Sequence, residues 1–211
     1  MGGRTLRRLV IVVVAVLALL LIADRVGVVI AEDAAGNTIE SSQHLKSRPD
    51  VDITGFPFLT QLATGKYDKI IVTAKDVPLG RAAHFLTLSR IRVVLHSLTV
   101  SRDFSSVRAK TATATALLGY AQLGKALGAT VSYAGSGRLA VRKTVSVDGR
   151  TVGGTLRVRP ELVNGALSFA GTSLISIPLR GIPFKITLQS LDVTSQGVVI
   201  GLTGSDLAYT S

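Results

Sequence analysis

The hydrophobic positions change their pattern twice along the chain. Leu9 to Ala23 is an unbroken apolar run. A mixed stretch with helical spacing follows as far as Gly65, and beyond it most segments alternate with period two. The apolar run predicts a helix of about 22 Å at 1.5 Å per residue, short of a hydrocarbon core of about 30 Å. Arg4, Arg7 and Arg8 precede it. A basic end that stays behind while the apolar run enters the membrane predicts export. Two readings are open. One is a signal peptide cleaved after Val29-Ile30-Ala31. The other is a membrane anchor in which Asp24 and Arg25 lie at the outer interface and Val26 to Ile30 prolong the helix.

In the mixed stretch, Glu32 to Leu45 carries Ala34, Ala35, Ile39, Ser42 and Leu45 near one helical face, weakened by Gly36-Asn37. Pro49 ends that helix and biases Arg48 toward extended backbone. Val51-Asp52-Ile53 reads as a strand, and residues 58–63 as a short helix stopped by Gly65. The alternating part contains Ile70/Val72/Ala74, Ile91/Val93/Leu95, the low-bulk "VRAKTATATA" at 107–116, Leu139/Val141/Lys143/Val145 and Leu156/Val158. Its last strands are Ile186 to Val193 and Val198 to Thr203. Asp148-Gly149 is a two-residue hairpin signal, which implies antiparallel pairing. Leu117 to Leu127 interrupts the strands as an amphipathic helix, with Gly128 as its stop. The pattern predicts an α+β fold: a long antiparallel sheet with two or three short helices. It divides into an export or anchor segment, 1–31, and one domain, 32–211, expected to fold by itself.

Charge narrows the partners. The chain carries 24 basic and 13 acidic residues, of which residues 1–31 hold four Arg and one Asp, leaving +8 on residues 32–211. A surplus of that sign either attracts anionic partners or only keeps a β-rich protein soluble. For an exported domain the adjacent anionic surface is phospholipid rather than nucleic acid. There is no cysteine, so neither disulfides nor thiolate metal sites are available. His44, His84 and His96 are isolated, without metal-ligand spacing. The stretch "AGSGR" at 134–138 is a glycine-rich turn and not a nucleophile elbow. "GYAQLGKA" at 119–126 misses the phosphate-loop pattern at its last position, where Ala126 replaces the magnesium-binding hydroxyl. No catalytic residue, metal ligand or cofactor is assigned.

Two corners repeat a pattern, "GFPF" at 55–58 and "GIPF" at 181–184. Proline cannot donate to a sheet ladder, so a central strand must stop there, while the phenylalanine carries apolar surface inward. Such corners make apolar rims or end-plugs of a sheet.

At these residues the sequence resembles a known family. "PDVDITGFPFLTQLATGKYDKIIVTAKDVPL" at 49–79 and "IPLRGIPFKITLQSLDVTSQGVVIGLTGSDL" at 177–207 are similar to the opening and ending of the LmeA-like phospholipid-binding family of bacterial envelope proteins. Gly55, Pro57, Phe58, Gln61 and Gly65 carry the most specific part of the likeness. The resemblance implies a tubular lipid-binding-like fold, a long curved sheet wrapped around a helix to form an apolar groove. It also implies affinity for anionic phospholipids of the phosphatidylinositol type at the outer face of the cytoplasmic membrane or in the periplasm. A role in lipoglycan (lipomannan) assembly or lipid transfer is implied as well. In such a groove Phe56, Phe58, Leu59, Leu62 and Phe184 are the wall candidates. Phe58 is expected on the groove, and Phe184 is expected to be the more core-like of the pair. Arg90, Arg92, Arg157, Arg159, Arg180 and Lys185 are the candidates for holding a phosphate headgroup. The alternatives are a glycolipid-modifying enzyme with a site assembled from distant residues, or a basic scaffold protein.

Overall fold

In a computed structural model of the protein, the backbone is described for residues 2–79, 86–101, 106–147, 150–163, 166–169, 176–178 and 186–210. A long helix, α1 (Gly2–Ser42), leads into β1 (Asp50–Thr54), the short helix α2 (Phe58–Thr64) and three long strands. These are β2 (Lys66–Leu79), β3 (Leu86–Val100) and β4 (Ser106–Leu118). Helix α3 (Tyr120–Leu127) then introduces β5 (Thr130–Tyr133), β6 (Leu139–Val147) and β7 (Arg150–Val158). The short strands β8 (Pro160–Val163), β9 (Ala166–Phe169) and β10 (Ser176–Pro178) precede the closing hairpin of β11 (Ile186–Thr194) and β12 (Gly197–Thr210).

The fold is α+β, as the alternation predicts. Its centre is a six-stranded antiparallel sheet in the order β1-β2-β3-β4-β12-β11, with β1 and β11 as edges, so it is not closed into a barrel. Two three-stranded antiparallel sheets, β5-β6-β7 and β8-β9-β10, complete it. The hairpin read at Asp148-Gly149 is flanked by Val147 paired with Arg150, although the two residues themselves lie outside the described residues.

Two helices differ from the sequence reading. The helix read from residue 32 is the end of one continuous α1, which crosses residue 31 without a break. Gly36 does not interrupt it, and a Cβ there would stand 3.0 Å from the Pro49 carbonyl oxygen. The glycine allows α1 to lie close against the chain entering β1. Helix α3 begins at Tyr120 rather than Leu117, because Leu117 pairs with Arg90 and Leu118 with Val198. Ladder pairing on both sides outweighs the local helical preference there.

Alternation is also broken at particular points. Asp76 in β2, Ser97 in β3 and Asp206 in β12 take left-handed backbone, with φ near 50°. Around each, the inward apolar positions step by three residues instead of two: Ala74 to Val77, Leu95 to Leu98, Gly204 to Leu207. A left-handed residue turns the strand about its axis and bends it, which adds local twist.

The core is split between the ends of the long strands. One buried cluster joins Phe58, Tyr67, Leu98, Ala109, Ala112 and Leu207, with Val28 and Ala31 of α1 packed against it. The other joins Leu88, Ala116 and Leu118 to Leu123 and Leu127 of α3, Val131 of β5, Leu139 of β6 and Val158 of β7. Val198, Ile200 and Leu202 of β12 belong to it too.

Candidate functional site

Cross-strand partners in a sheet point to the same face, so the register reads out what each face presents. Three successive rows are apolar across the sheet. The first is Ile53–Ile70–Leu95–Ala112–Gly204, and the second is Val51–Val72–Val93–Ala114–Leu202–Leu188. The third is Ala74–Ile91–Ala116–Ile200–Leu191. In β4 every member is alanine, while the neighbours in β3 are Ile91, Val93 and Leu95. Alanine methyls beside the branched side chains of β3 make β4 the lowest line of this face, a trough by side-chain size that runs about 13 Å over residues 112–116 at 3.3 Å per residue.

The ends of this trough are covered. Ala112 belongs to the cluster under α1 and α2, and Ala116 to the cluster under α3. Between them Val72 and Val93 belong to neither cluster and keep partial exposure. The opposite face is polar where β4 contributes Thr111, Thr113 and Thr115, all exposed.

The Gly-Phe-Pro-Phe corner lies at the α1 end. Pro57 occupies the N-cap position of α2 and offers no side-chain cap. Asp24 of α1 substitutes, its Oδ1 accepting a hydrogen bond from the Leu59 N–H at 2.8 Å. Asp24 is 2 % exposed, and the Arg25 guanidinium lies 3.7 Å from its other oxygen. Arg25 also sits over the Phe56 ring, 5.1 Å from the centroid. At the far end of α2, Gly65 closes the helix in left-handed conformation, and its carbonyl accepts from the Val100 N–H at 2.8 Å. Gln61, buried in α2, accepts from the Asp68 N–H at 2.9 Å and ties the helix to β2. Helix α1 also covers the β1 edge: Glu32 Oε1 accepts from the Ile53 N–H at 2.7 Å, and Asp33 pairs with Arg48 at 2.9 Å.

The residues picked from sequence are distributed as follows. Phe58 is 1 % exposed and packs in the core cluster, with Gly27 of α1 beside its ring. Phe56, Leu59 and Leu62 are exposed on the corner, at 57 %, 36 % and 45 %. Phe184, Arg180 and Lys185 lie outside the described residues. Arg90 and Arg92 are exposed on the sheet face opposite the alanine rows, where Arg90 pairs with Lys75 and Arg92 with Thr73. Arg157 is exposed on β7, and Arg159 donates to the Ser136 carbonyl at 3.4 Å. The four described arginines therefore form two separate pairs, neither on the trough face of the large sheet. The sequence reading did not single out Ala112, Ala114 and Ala116, whose signal was the strict Thr/Ala alternation. It also gave Asp24 no role beyond an interface marker.

The "GYAQLGKA" segment forms α3 and not a phosphate-wrapping loop. A shallow, open hollow beside it is lined by Tyr120, Ala121, Gly124, Lys125, Ala129, Thr130 and Val131. The Tyr120 hydroxyl donates to the Thr194 carbonyl. Burial, and secondarily the nearby Tyr133, raises its pKa. Among the described residues no group of three or more His, Asp or Glu could hold a metal ion.

No curated protein and no solved structure matches the chain. A sequence model of the LmeA-like phospholipid-binding family does match, over residues 22–203, from the last apolar turn of α1 into β12. The apolar sheet face gives that match a physical counterpart, and the chain belongs to the LmeA-like phospholipid-binding family.

Proposed function

We propose that this protein is a membrane-anchored, non-enzymatic phospholipid-binding protein of the cell envelope that holds an acyl chain along the alanine trough of β4. The observation that carries the reading is the triple apolar row with Val72 and Val93 left partly exposed between two closed clusters. Each methylene withdrawn from water into such a trough contributes about 0.8 kcal/mol. The surplus of positive charge on residues 32–211 favours anionic headgroups, phosphatidylinositol types among them. Family membership supports lipid as the partner; lipid transfer or support of lipomannan assembly is part of the proposal.

Retention of α1 is part of the proposal. A helix this apolar is compatible with a signal or an anchor. Cleavage after Ala31 removes the Asp24 cap and the Gly27, Val28 and Ala31 contacts around Phe58. The family match also begins at residue 22, ahead of that cleavage point. On this reading the domain begins near Asp24 rather than at residue 32.

Native mass spectrometry of the full chain, extracted from membranes in mild detergent, tests the proposal. Bound phospholipid masses are expected, with anionic species in excess over zwitterionic ones. Protein that emerges bare, and stays bare after incubation with phosphatidylinositol vesicles, overturns it.

A further inference from the structure

We infer that the corner from Gly55 to Thr64 is a foot that stands in the bilayer, with Phe56, Leu59 and Leu62 inserted at the level of headgroups and upper acyl carbons. The inference rests on the anchored reading of α1 and adds a second, peripheral contact with the same membrane.

Helix length is the first argument. Residues 9–23 span about 22 Å at 1.5 Å per residue, too short for a core of about 30 Å. Residues 9–30 span about 33 Å, which matches it. Val26, Val29 and Ile30 are exposed, each more than half, as expected of residues that meet lipid. That placement sets Asp24 about 9 Å inside the outer edge of the apolar layer. Interfacial helices bury their apolar faces about 5–10 Å into this boundary.

Attachment is the second argument. The corner is fixed to α1 at that depth. Leu59 N–H bonds Asp24, Arg25 lies over Phe56, and Gly27 faces Phe58 and Leu59. Residues 24–27 then lie about 5–9 Å below that edge, among the upper acyl carbons, and α2 lies there with them.

Chemistry is the third. A carboxylate in the apolar layer is costly unless bonded. Asp24 is withdrawn from lipid by the very corner it positions, with Arg25 beside it. Arg25, 62 % exposed, is long enough to hold its charge among lipid phosphates while its guanidinium edge borders Phe56. The exposed side chains of the corner are Phe56, Pro57, Leu59, Thr60, Leu62, Ala63 and Thr64, a set without charge whose large members, Phe56, Leu59 and Leu62, are apolar, which water disfavours and an acyl boundary accepts.

The chain has no cysteine, so single-cysteine labelling of the full-length protein is direct. Leu62→Cys and Ala63→Cys place a nitrobenzoxadiazole label on the exposed side of α2. Leu17→Cys marks the apolar run, and Thr111→Cys an exposed position on β4. Each variant is reconstituted into vesicles of phosphatidylcholine and phosphatidylglycerol containing lipid spin-labelled near the headgroup or deep in the chain. The Leu62 and Ala63 labels should be quenched several times more strongly than Thr111, and most by the shallow spin label. Leu17 should respond most to the deep one. Leu62 and Ala63 labels that behave like Thr111 while Leu17 is quenched would remove the foot and leave the anchored lipid-binding reading standing. A Leu17 label untouched by either lipid would remove the anchor, and the foot with it.

Discussion

Asp24 and Leu59, thirty-five residues apart, meet through one hydrogen bond of 2.8 Å from a backbone N–H to a carboxylate. It joins the exit of the apolar helix to the first turn of α2, at the point where proline leaves the helix without a side-chain cap of its own. The contact ties α1 to the rest of the fold and supports the proposed reading in which the helix is retained.

Asp24→Ala should lower stability by about 1–2 kcal/mol, the range for a lost N-cap that leaves a part-buried donor unpaired. Asp24→Asn keeps an acceptor and should recover much of the loss. Thermal melting of the full chain in detergent distinguishes the pair. Equal melting of all three proteins would mean that the cap contributes nothing.

The extent of the domain can be tested by truncation. A chain beginning at Ile22 retains Asp24, Gly27, Val28 and Ala31, whereas one beginning at Glu32 loses them all. The shorter chain should melt at lower temperature and bind an apolar dye, because the cluster around Phe58 is opened. Identical melts would return the boundary to residue 31, as the sequence pattern had it.

Val93 and Phe58 should respond oppositely to the same substitution. At Val93, partly exposed and outside both clusters, an aspartate can stay hydrated in the empty trough, but an acyl chain would strip that water. Val93→Asp is therefore expected to abolish lipid loading with only a modest loss of stability. Phe58 is fully enclosed, so Phe58→Asp should unfold the domain, since an unpaired buried charge exceeds a reserve of about 5–15 kcal/mol. Melting and lipid content measured on both variants check the contrast. Normal lipid content in Val93→Asp would move the lipid site off β4.

Two helix-ending glycines should differ in sensitivity. Both take left-handed backbone, Gly65 with φ 66° and Gly128 with φ 57°. A Cβ on Gly128 meets nothing within 4 Å, so Gly128→Ala should cost about 1–2 kcal/mol, the backbone penalty alone. A Cβ on Gly65 would collide with the Val100 carbonyl oxygen, and Gly65→Ala should cost clearly more. Denaturant titration of the two variants ranks them, and equal losses would contradict the clash.

Alkaline titration gives an independent check. Burial raises the pKa of Tyr67, and burial followed by Tyr133 raises that of Tyr120. A group whose folded pKa exceeds its unfolded value contributes stability that is complete below the unfolded value, near 10, and is lost as pH rises through the folded value. Stability should therefore fall above about pH 10. Phenolate absorbance should show late ionisation at these two of the four tyrosines, which Tyr67→Phe and Tyr120→Phe would each remove. An unchanged curve in both variants would contradict the burial.

Much of this protein is written in local pattern. The apolar run with its arginines, the bounds of α2 between Pro57 and Gly65, the stop of α3 at Gly128 and the two-faced strands follow from chain geometry and from turn residues. The Thr/Ala alternation of β4 already separates a polar face from an apolar one. What alternation cannot specify is which strands become neighbours. Only the sheet order sets β4 between β3 and β12, and so places Ala114 and Ala116 between larger side chains, with Ala112 between Leu95 and Gly204. The same register carries Arg90 and Arg92 to the face opposite that trough, a side their spacing leaves open. Leu117 and Leu118 have helical spacing yet extend β4, because ladder partners on both sides outweigh a local preference. Asp24 looks in sequence like a polar interruption of an apolar helix. Its role as the cap of α2 depends on a contact across thirty-five residues, which no local period encodes.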